Sequence, residues 1–572
     1  MAKSGTQRKP ETLIYGVNEV PPHAVTLLNA LQHVGVVAVN FIYPVLIFRA
    51  AGASPDTITS LLALGFAILG LTTLMQVAGR GPVGTGYLCP TTFTATYLAP
   101  SLLAARSGGL ALVFGMTVFA GLLEAALARI LQRLRAVMPV EISGLVIVLI
   151  GLTAGLVGVR TLLGAGEPVP GAGEWVVAAL TLGATIAFYV WGKGLVRMLC
   201  ALIGMGIGYG VAAVLGVLSA AELDLLARAA WVGLPALPQL SLSFDATLAL
   251  PFAIAAVAAA MKAVGTLTVC QRTNDANWVR ADNASNARGV TADGLGSVLS
   301  GLLGGVGVNT STPSVGLAAA TGVASRTVAY AVAAIFLLLA LMPKVAAIFE
   351  VMPRAVMAGA LVFAACFIVI NGVQVLTSRL LDSRRTLTLG LGLIAAAAVE
   401  AVPALSAGAE GWVRPIIGSS LVFGTFVALT CNLLFRIGVR QSANLAIDPA
   451  AFEHKPVEDF LKRQGARWGA RPDIVTRAVF GAVQLVEAVI EHGHATGKLK
   501  LTARFDEFDF DIRLSYAGTA LPLPDRRPSI AEIRDAPDGA QRLAGYMIRR
   551  NADRVRIEEK DGQVDIWFHL DH

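Results

Sequence analysis

Residues 307–322 read GVNTSTPSVGLAAATG, and residues 89–100 read CPTTFTATYLAP. Both stretches are apolar at their ends and broken by Pro and Thr, and the first also by Gly. A helix needs about 20 apolar residues to cross the hydrocarbon core, and neither stretch is that long. Broken helices survive at membrane depth only where their free backbone groups face protein or a cavity. One interrupted segment in each half of a chain predicts a carrier with an internal repeat and a binding site near the bilayer midplane.

The surrounding sequence agrees with that reading. The chain has 572 residues, of which 55% are hydrophobic and only 15% charged, with a mean hydropathy of +0.67. A soluble globular chain carries about 25% charge. Twelve apolar runs of spanning length lie near 24–48, 58–78, 108–128, 139–160, 173–192, 196–220, 246–268, 289–307, 327–343, 355–375, 386–404 and 415–436. With the two short segments the expected count is fourteen. The tail from 438 onward changes solvent, with five of the seven histidines and charged stretches such as FDEFDFDIRL. The expected organisation is a polar N-terminal tail over 1–22, a membrane domain over 23–437 and a soluble α+β domain over 438–572.

An even span count puts both termini on one side. Loops on the expected cytoplasmic side carry thirteen basic residues, among them Arg80, Arg133, Arg135, Arg280 and Arg379, against seven on the other side. That bias puts both termini in the cytoplasm and the chain in an inner membrane. The N-terminus has no apolar run before a cleavage site, so no signal peptide is expected. The net charge of +7 fits basic cytoplasmic loops, and without basic–aromatic runs it gives no reason to expect nucleic acid. Cys89, Cys200, Cys270, Cys366 and Cys431 are scattered and form no CxxC pair, so neither a disulfide framework nor a metal site is expected. No nucleophile–base pair or phosphate loop is evident, so no enzyme and no cofactor are expected.

Ionisable groups inside apolar runs are costly and mark function by default. Lys262 lies midway along LPFAIAAVAAAMKAVGTLTV. A buried ammonium there fixes an anion or exchanges a proton. Glu124 and Glu400 are candidate partners for it or for an arginine, and His33 is a coupling or helix-linking candidate. Glu141 opens a span, where a carboxylate favours the helix N-terminus. In the short segments, Thr94, Tyr97, Asn309, Thr310, Ser314 and Gly316 offer hydroxyl, amide and backbone groups, and Phe93 offers a flat ring for stacking.

The membrane region resembles the nucleobase–ascorbate transporter family, also called xanthine/uracil permeases. The resemblance rests on LLNALQHVGVVAVNFIYPVLI with Gln32 and His33, on RGVTADGLGSVLSGLLGG, on VNTSTPSVGLAAATGVASR with Asn309, Gly316, Thr321, Gly322, Ser325 and Arg326, and on MPRAVMAGALV. It implies two inverted seven-span repeats, core and gate domains, a homodimer and an elevator mechanism. It also implies symport, driven by H+ or Na+, of a small molecule such as xanthine, uracil or urate. Two family features are missing. Lys262 stands where the family has a glutamate that grips the base, and Pro313-Ser314-Val315 replaces the acidic or amide pair before Gly316. A lysine offers donors only, so it suits an anion better than the N–H edge of a neutral base. The alternatives are a transporter-like sensor that signals through its tail and a carrier of a non-nucleobase anion. The tail resembles a degenerate GHKL ATP-binding fold of the anti-sigma-factor kinase type, with Glu487 in place, Glu491 where an asparagine is usual, and Tyr516-Ala517-Gly518 lacking the aspartate. That points to a regulatory or dimer-forming module.

Overall fold

A computed structural model describes residues 8–571 apart from residues 80, 131–138, 164–169, 236–240, 279–280, 378–380, 382, 403, 409–412, 436–440, 507–508, 525, 537 and 561. Arg80, Arg133, Arg135, Arg280 and Arg379 of the charge argument lie outside the described residues. The chain forms two compact units, Met1–Leu433 and Leu434–His572.

The first unit is mostly helical. Its principal elements are α1 (His23–Ala38), α2 (Ile42–Ala50), α3 (Pro55–Ala78), β1 (Thr91–Phe93), α4 (Leu98–Leu127), α5 (Val140–Leu163), α6 (Ala172–Trp191), α7 (Cys200–Val214), α8 (Ala249–Asn274), α9 (Asn283–Leu302), β2 (Val308–Thr310), α10 (Thr312–Thr321), α11 (Arg326–Ala340), α12 (Pro343–Glu350), α13 (Arg354–Leu376), α14 (Ser383–Ala401) and α15 (Ser420–Phe435). Local chemistry sets the boundaries. Ser54 caps α3 by accepting from Thr57 N–H, Pro55 occupies its first position, and Gly79 ends it at φ 57°. Pro44 has no N–H to give the carbonyl four residues back, and α1 passes into α2 through the tighter turn Val39–Phe41.

Among the described residues, seven helical stretches are long and apolar enough to cross a membrane, or eight if the pair α11–α12, bent by 83°, counts as one span. This is fewer than the fourteen runs expected, some of which do not qualify singly. The segment at 88–104 and the run at 108–128 form the two parts of α4, which meet at a kink where Gly108 and Gly109 leave helical geometry, so they count as one stretch. α9 carries Asn283, Asn286, Arg288 and Asp293, so it is too polar to qualify. α7, α10 and α15 are only 15, 10 and 16 residues long, and α14 carries Arg384, Arg385 and Glu400.

Glycines set the closest helix contacts, as expected where lipid gives helices no hydrophobic reason to associate. A Cβ on Gly121 of α4 would sit 2.6 Å from Gly294 O of α9, and one on Gly294 would sit 2.5 Å from Ala125 N. These two helices therefore run backbone against backbone. α5 and α13 do the same, where a Cβ on Gly144 would meet Leu376 N at 2.5 Å and one on Gly372 would meet Val148 N at 2.6 Å.

The second unit is a five-stranded antiparallel sheet in the order β3-β4-β5-β7-β6. Its strands are β3 (Gln441–Ile447), β4 (Leu499–Phe505), β5 (Asp509–Ala517), β6 (Arg554–Lys560) and β7 (Gln563–Asp571), and its main helices are α16 (His454–Trp468), α17 (Pro472–Glu491) and α18 (Gly539–Asn551). Alternation decides the faces. Leu501, Ile512, Leu514, Ile566 and Phe568 share one apolar core with Ala482, Leu485 and Val489 of α17. Arg513 pairs with Asp565 at 2.5 Å and lies 4.8 Å over the Trp567 ring. The Arg513 guanidinium holds the Asp565 carboxyl below the usual carboxylate range. The stability this pair gives is therefore full above the unfolded pKa of about 3.9 and is lost as pH falls through the lower folded value.

The glycine contacts predict a sharp contrast in detergent melting. Gly294→Val forces backbone apart and lowers the midpoint strongly, since even moderate overpacking costs about 1–3 kcal/mol. Gly183→Ala, whose Cβ meets nothing within 4 Å, leaves the midpoint in place. Equal melting of the two variants would contradict the packing described.

Candidate functional site

β1 and β2 pair antiparallel in the interior, with Thr91 opposite Thr310, Thr92 opposite Asn309 and Phe93 opposite Val308. All six residues are buried. Each strand leads directly into a helix. Thr94 caps the turn Ala95–Tyr97 that runs into α4, and Ser311 caps α10 by accepting from Ser314 N–H at 3.3 Å. The ribbon therefore brings two capped helix starts, with the positive ends of their dipoles, to one region.

One side of the ribbon is held by Asp293. It accepts from Thr310 N–H at 3.0 Å, from Thr310 Oγ1 at 2.8 Å and from Gln76 Nε2 at 3.0 Å. Gln76 Nε2 also reaches Thr310 Oγ1 at 2.9 Å, and Thr91 joins Thr72 at 2.5 Å. Ser297 and Ser300 donate to Val308 O and Val306 O. The backbone contact between α9 and α4 is what lets these short side chains reach the strand.

The other side is held by Glu124. Tyr97 O–H donates to it at 2.8 Å and Asn309 Nδ2 at 3.2 Å, so one carboxylate of α4 touches both half-helix segments. Asn309 Nδ2 also donates to Ala259 O of α8. Asn40 Nδ2 donates to Thr92 Oγ1 at 2.7 Å. Lys262 is half-buried, and its ammonium lies 3.5 Å from Thr94 Oγ1 and within electrostatic reach of Asp293 and Glu124. One turn further along α8, Thr266 bonds Thr312 of α10 at 2.7 Å. Two buried polar atoms here, Asn309 Oδ1 and Ser314 Oγ, have no hydrogen-bond partner among the described residues. Gly316 is exposed, and a Cβ there would meet nothing within 4 Å.

The structure thus gathers Thr94, Tyr97, Lys262, Asn309, Thr310, Ser314, Gly316 and Glu124 around one ribbon. Three expected residues are placed elsewhere. Phe93 alternates to the ribbon face that packs on α3, with its ring edge-on to Phe41 at 5.2 Å and 1% exposed, so it presents no free face for stacking. Glu400 pairs with Arg160 at 2.6 Å and accepts from Ser420 at 2.7 Å, tying α14 to α5 and α15 instead of meeting Lys262. His33 is fully buried, and neither ring nitrogen has a hydrogen-bond partner among the described residues, so it does not link helices by hydrogen bonds. Glu141 pairs with Arg385 at 3.4 Å. Asp293, Gln76 and Asn40 were not singled out from sequence. The acid inside VTADGLGSVLSG was the available signal for Asp293. Among the described residues no cluster of three or more His, Cys, Asp or Glu side chains suits a metal ion.

Asp293→Asn tests this arrangement, because either orientation of the amide turns a donor toward Thr310 or Gln76. A buried donor left unsatisfied costs about 1–3 kcal/mol, so the detergent melting midpoint drops. An unchanged midpoint would show that the ribbon does not depend on Asp293.

The sequence profile of the Permease family, which covers xanthine and uracil permeases, matches residues 24–405. The xanthine permease XanP of Escherichia coli is 25% identical over 454 residues, covering 76% of this chain and 97% of its own length. The uric acid permease PucJ of Bacillus subtilis is 25% identical over 430 residues, covering 71% and 92%. The solved transmembrane domain of the cyanobacterial bicarbonate transporter BicA aligns with 73% of this chain at 17% identity, with a TM-score of 0.44. The chain therefore belongs to the xanthine/uracil permease family, and it is a membrane transporter, not an enzyme.

Proposed function

We propose that the chain is a secondary transporter of purine bases, and that it favours anionic ones such as urate or deprotonated xanthine. The observation that carries this reading is Lys262. It is a lone ammonium at the middle of α8, beside the cap of one half-helix, and one turn from the residue that touches the other. A lysine and two helix N-termini together favour negative charge. Asn309 Oδ1 and Ser314 Oγ, buried and without a hydrogen-bond partner among the described residues, supply an acceptor and a hydroxyl for the polar edge of a ring. Its relatives XanP and PucJ are a xanthine permease and a uric acid permease, which supports a purine over an unrelated carboxylate.

Of the coupling candidates, Glu124 fits best. Asp293 is filled by three donating groups on its two oxygens, whereas Glu124 has two and bridges both half-helices. A proton on Glu124 removes one accepting position and loosens that bridge. Proton symport then follows if loading Glu124 and loading the site go together. In this reading the membrane unit has fourteen spans as two inverted seven-span repeats, works as a homodimer by an elevator motion, and sits in an inner membrane with both termini cytoplasmic. The second unit is then a GHKL-like regulatory or dimer-forming module. Glu487 lies 3.4 Å from His454 on its α16–α17 face.

The test is uptake of labelled xanthine and urate into cells lacking other purine carriers. Truncating one member of a buried charge contact costs about 2–5 kcal/mol, or at least about thirtyfold. Lys262→Met is expected to lower urate uptake by that factor, and Lys262→Arg to keep most of it. Glu124→Gln is expected to flatten the dependence of uptake on external pH. Full urate uptake by Lys262→Met would remove the lysine from the mechanism.

A further inference from the structure

We propose that Cys89 and Cys270 are a redox-sensitive pair whose disulfide locks the first half-helix segment to α8. The two residues are 181 positions apart, yet the fold brings their sulfurs to 3.2 Å. Cys89 lies two residues before β1. Between them, Pro90 O accepts from Ser311 N–H at 2.9 Å, so the cysteine adjoins both half-helix starts. Cys270 lies on α8 eight residues beyond Lys262, or about 12 Å along the axis. Asn274 Nδ2 donates to Cys270 O at 2.8 Å and fixes that last turn.

The pair is buried in a small apolar cluster with Val17, Tyr87, Leu267 and Val315. Val17 belongs to the N-terminal strap, which runs along the end of α10. Ile14 and Tyr15 N–H donate to Gly322 O, and Arg326 N–H donates to Val17 O. The strap therefore contributes Val17 to the apolar cover around the two cysteines. A disulfide bond is about 2.05 Å long, so closing the pair needs only about 1 Å of approach.

The reaction balances with a low-molecular-weight disulfide as oxidant. One cysteine, as thiolate, attacks the reagent's S–S bond and expels one reagent thiolate. The second cysteine, as thiolate, attacks the mixed disulfide and expels the other. The two protons lost by the protein end on the two expelled thiols, and the two electrons reduce the reagent. The product fixes α8, which carries Lys262, against the segment that carries Thr94. Any step that needs those two to shift relative to each other then stops.

The experiment uses the full chain in liposomes, treated with oxidised glutathione and then returned with dithiothreitol. The proposal predicts a Cys89–Cys270 linked peptide by mass spectrometry and a raised melting midpoint, both reversed by the reductant. It also predicts uptake at least fivefold lower in the oxidised form. Cys270→Ala should show none of these responses. Because oxidised and reduced wild-type protein are compared directly, the test does not rely on that variant folding. Absence of the linked peptide, with both thiols still open to alkylation after unfolding, would overturn the pair. A linked protein that transports at the reduced rate would overturn the lock. The uptake arm rests on the purine reading. Reduced protein that carries no purine would defeat that reading, while the peptide and the melting shift would still decide the pair.

Discussion

Everything at the candidate site depends on one pairing, the three-residue antiparallel ribbon of β1 and β2 inside an apolar body. Backbone N–H and C=O groups cannot be left unsatisfied away from water. Two chains that stop being helical at this depth must therefore satisfy each other. The pairing Thr91–Thr310, Thr92–Asn309 and Phe93–Val308 does this. It also fixes where the two following helices begin, and so where their positive ends lie.

The remaining polar contacts are what such a ribbon requires from its surroundings. One face needs donors and an acceptor, and Asp293 with Gln76 provides them. The other face meets Glu124 and Asn40. Glu124 of α4 and Asp293 of α9 flank the strands on helices that approach through Gly121 and Gly294. A packing device of the membrane interior thus sets the geometry of the polar site. Lys262 adds a cation beside the cap of one of the two helix starts that the ribbon brings together.

Much of this was legible in the sequence. Pro and Thr inside apolar stretches marked both half-helix segments, with Gly added in the second, because those residues break helices for local reasons. Lys262 stood out because a charge at mid-span has no local excuse. What was not legible depends on faces and distant partners. Phe93 looked available for stacking, but β alternation turns it onto Phe41. Glu400 looked like a partner for Lys262, but its helix ends beside Arg160. Asp293 was hidden by the small residues around it, whose meaning appears only once α9 lies against α4. Counting by length and apolarity gives fewer than fourteen because α7, α10 and α15 are short, because α9 and α14 carry charges, and because the two helical runs of α4 follow each other across a kink at Gly108 and Gly109.

The most direct measurement is ligand-induced thermal stabilisation of the purified wild-type protein, with urate, xanthine and uracil compared at two pH values. A ligand that binds only the folded state raises the melting midpoint by mass action. The account predicts the largest shift with urate, and a shift with xanthine that grows as pH rises and the base deprotonates. Equal stabilisation by uracil at both pH values would show that Lys262 does not select for charge, and would contradict the central claim.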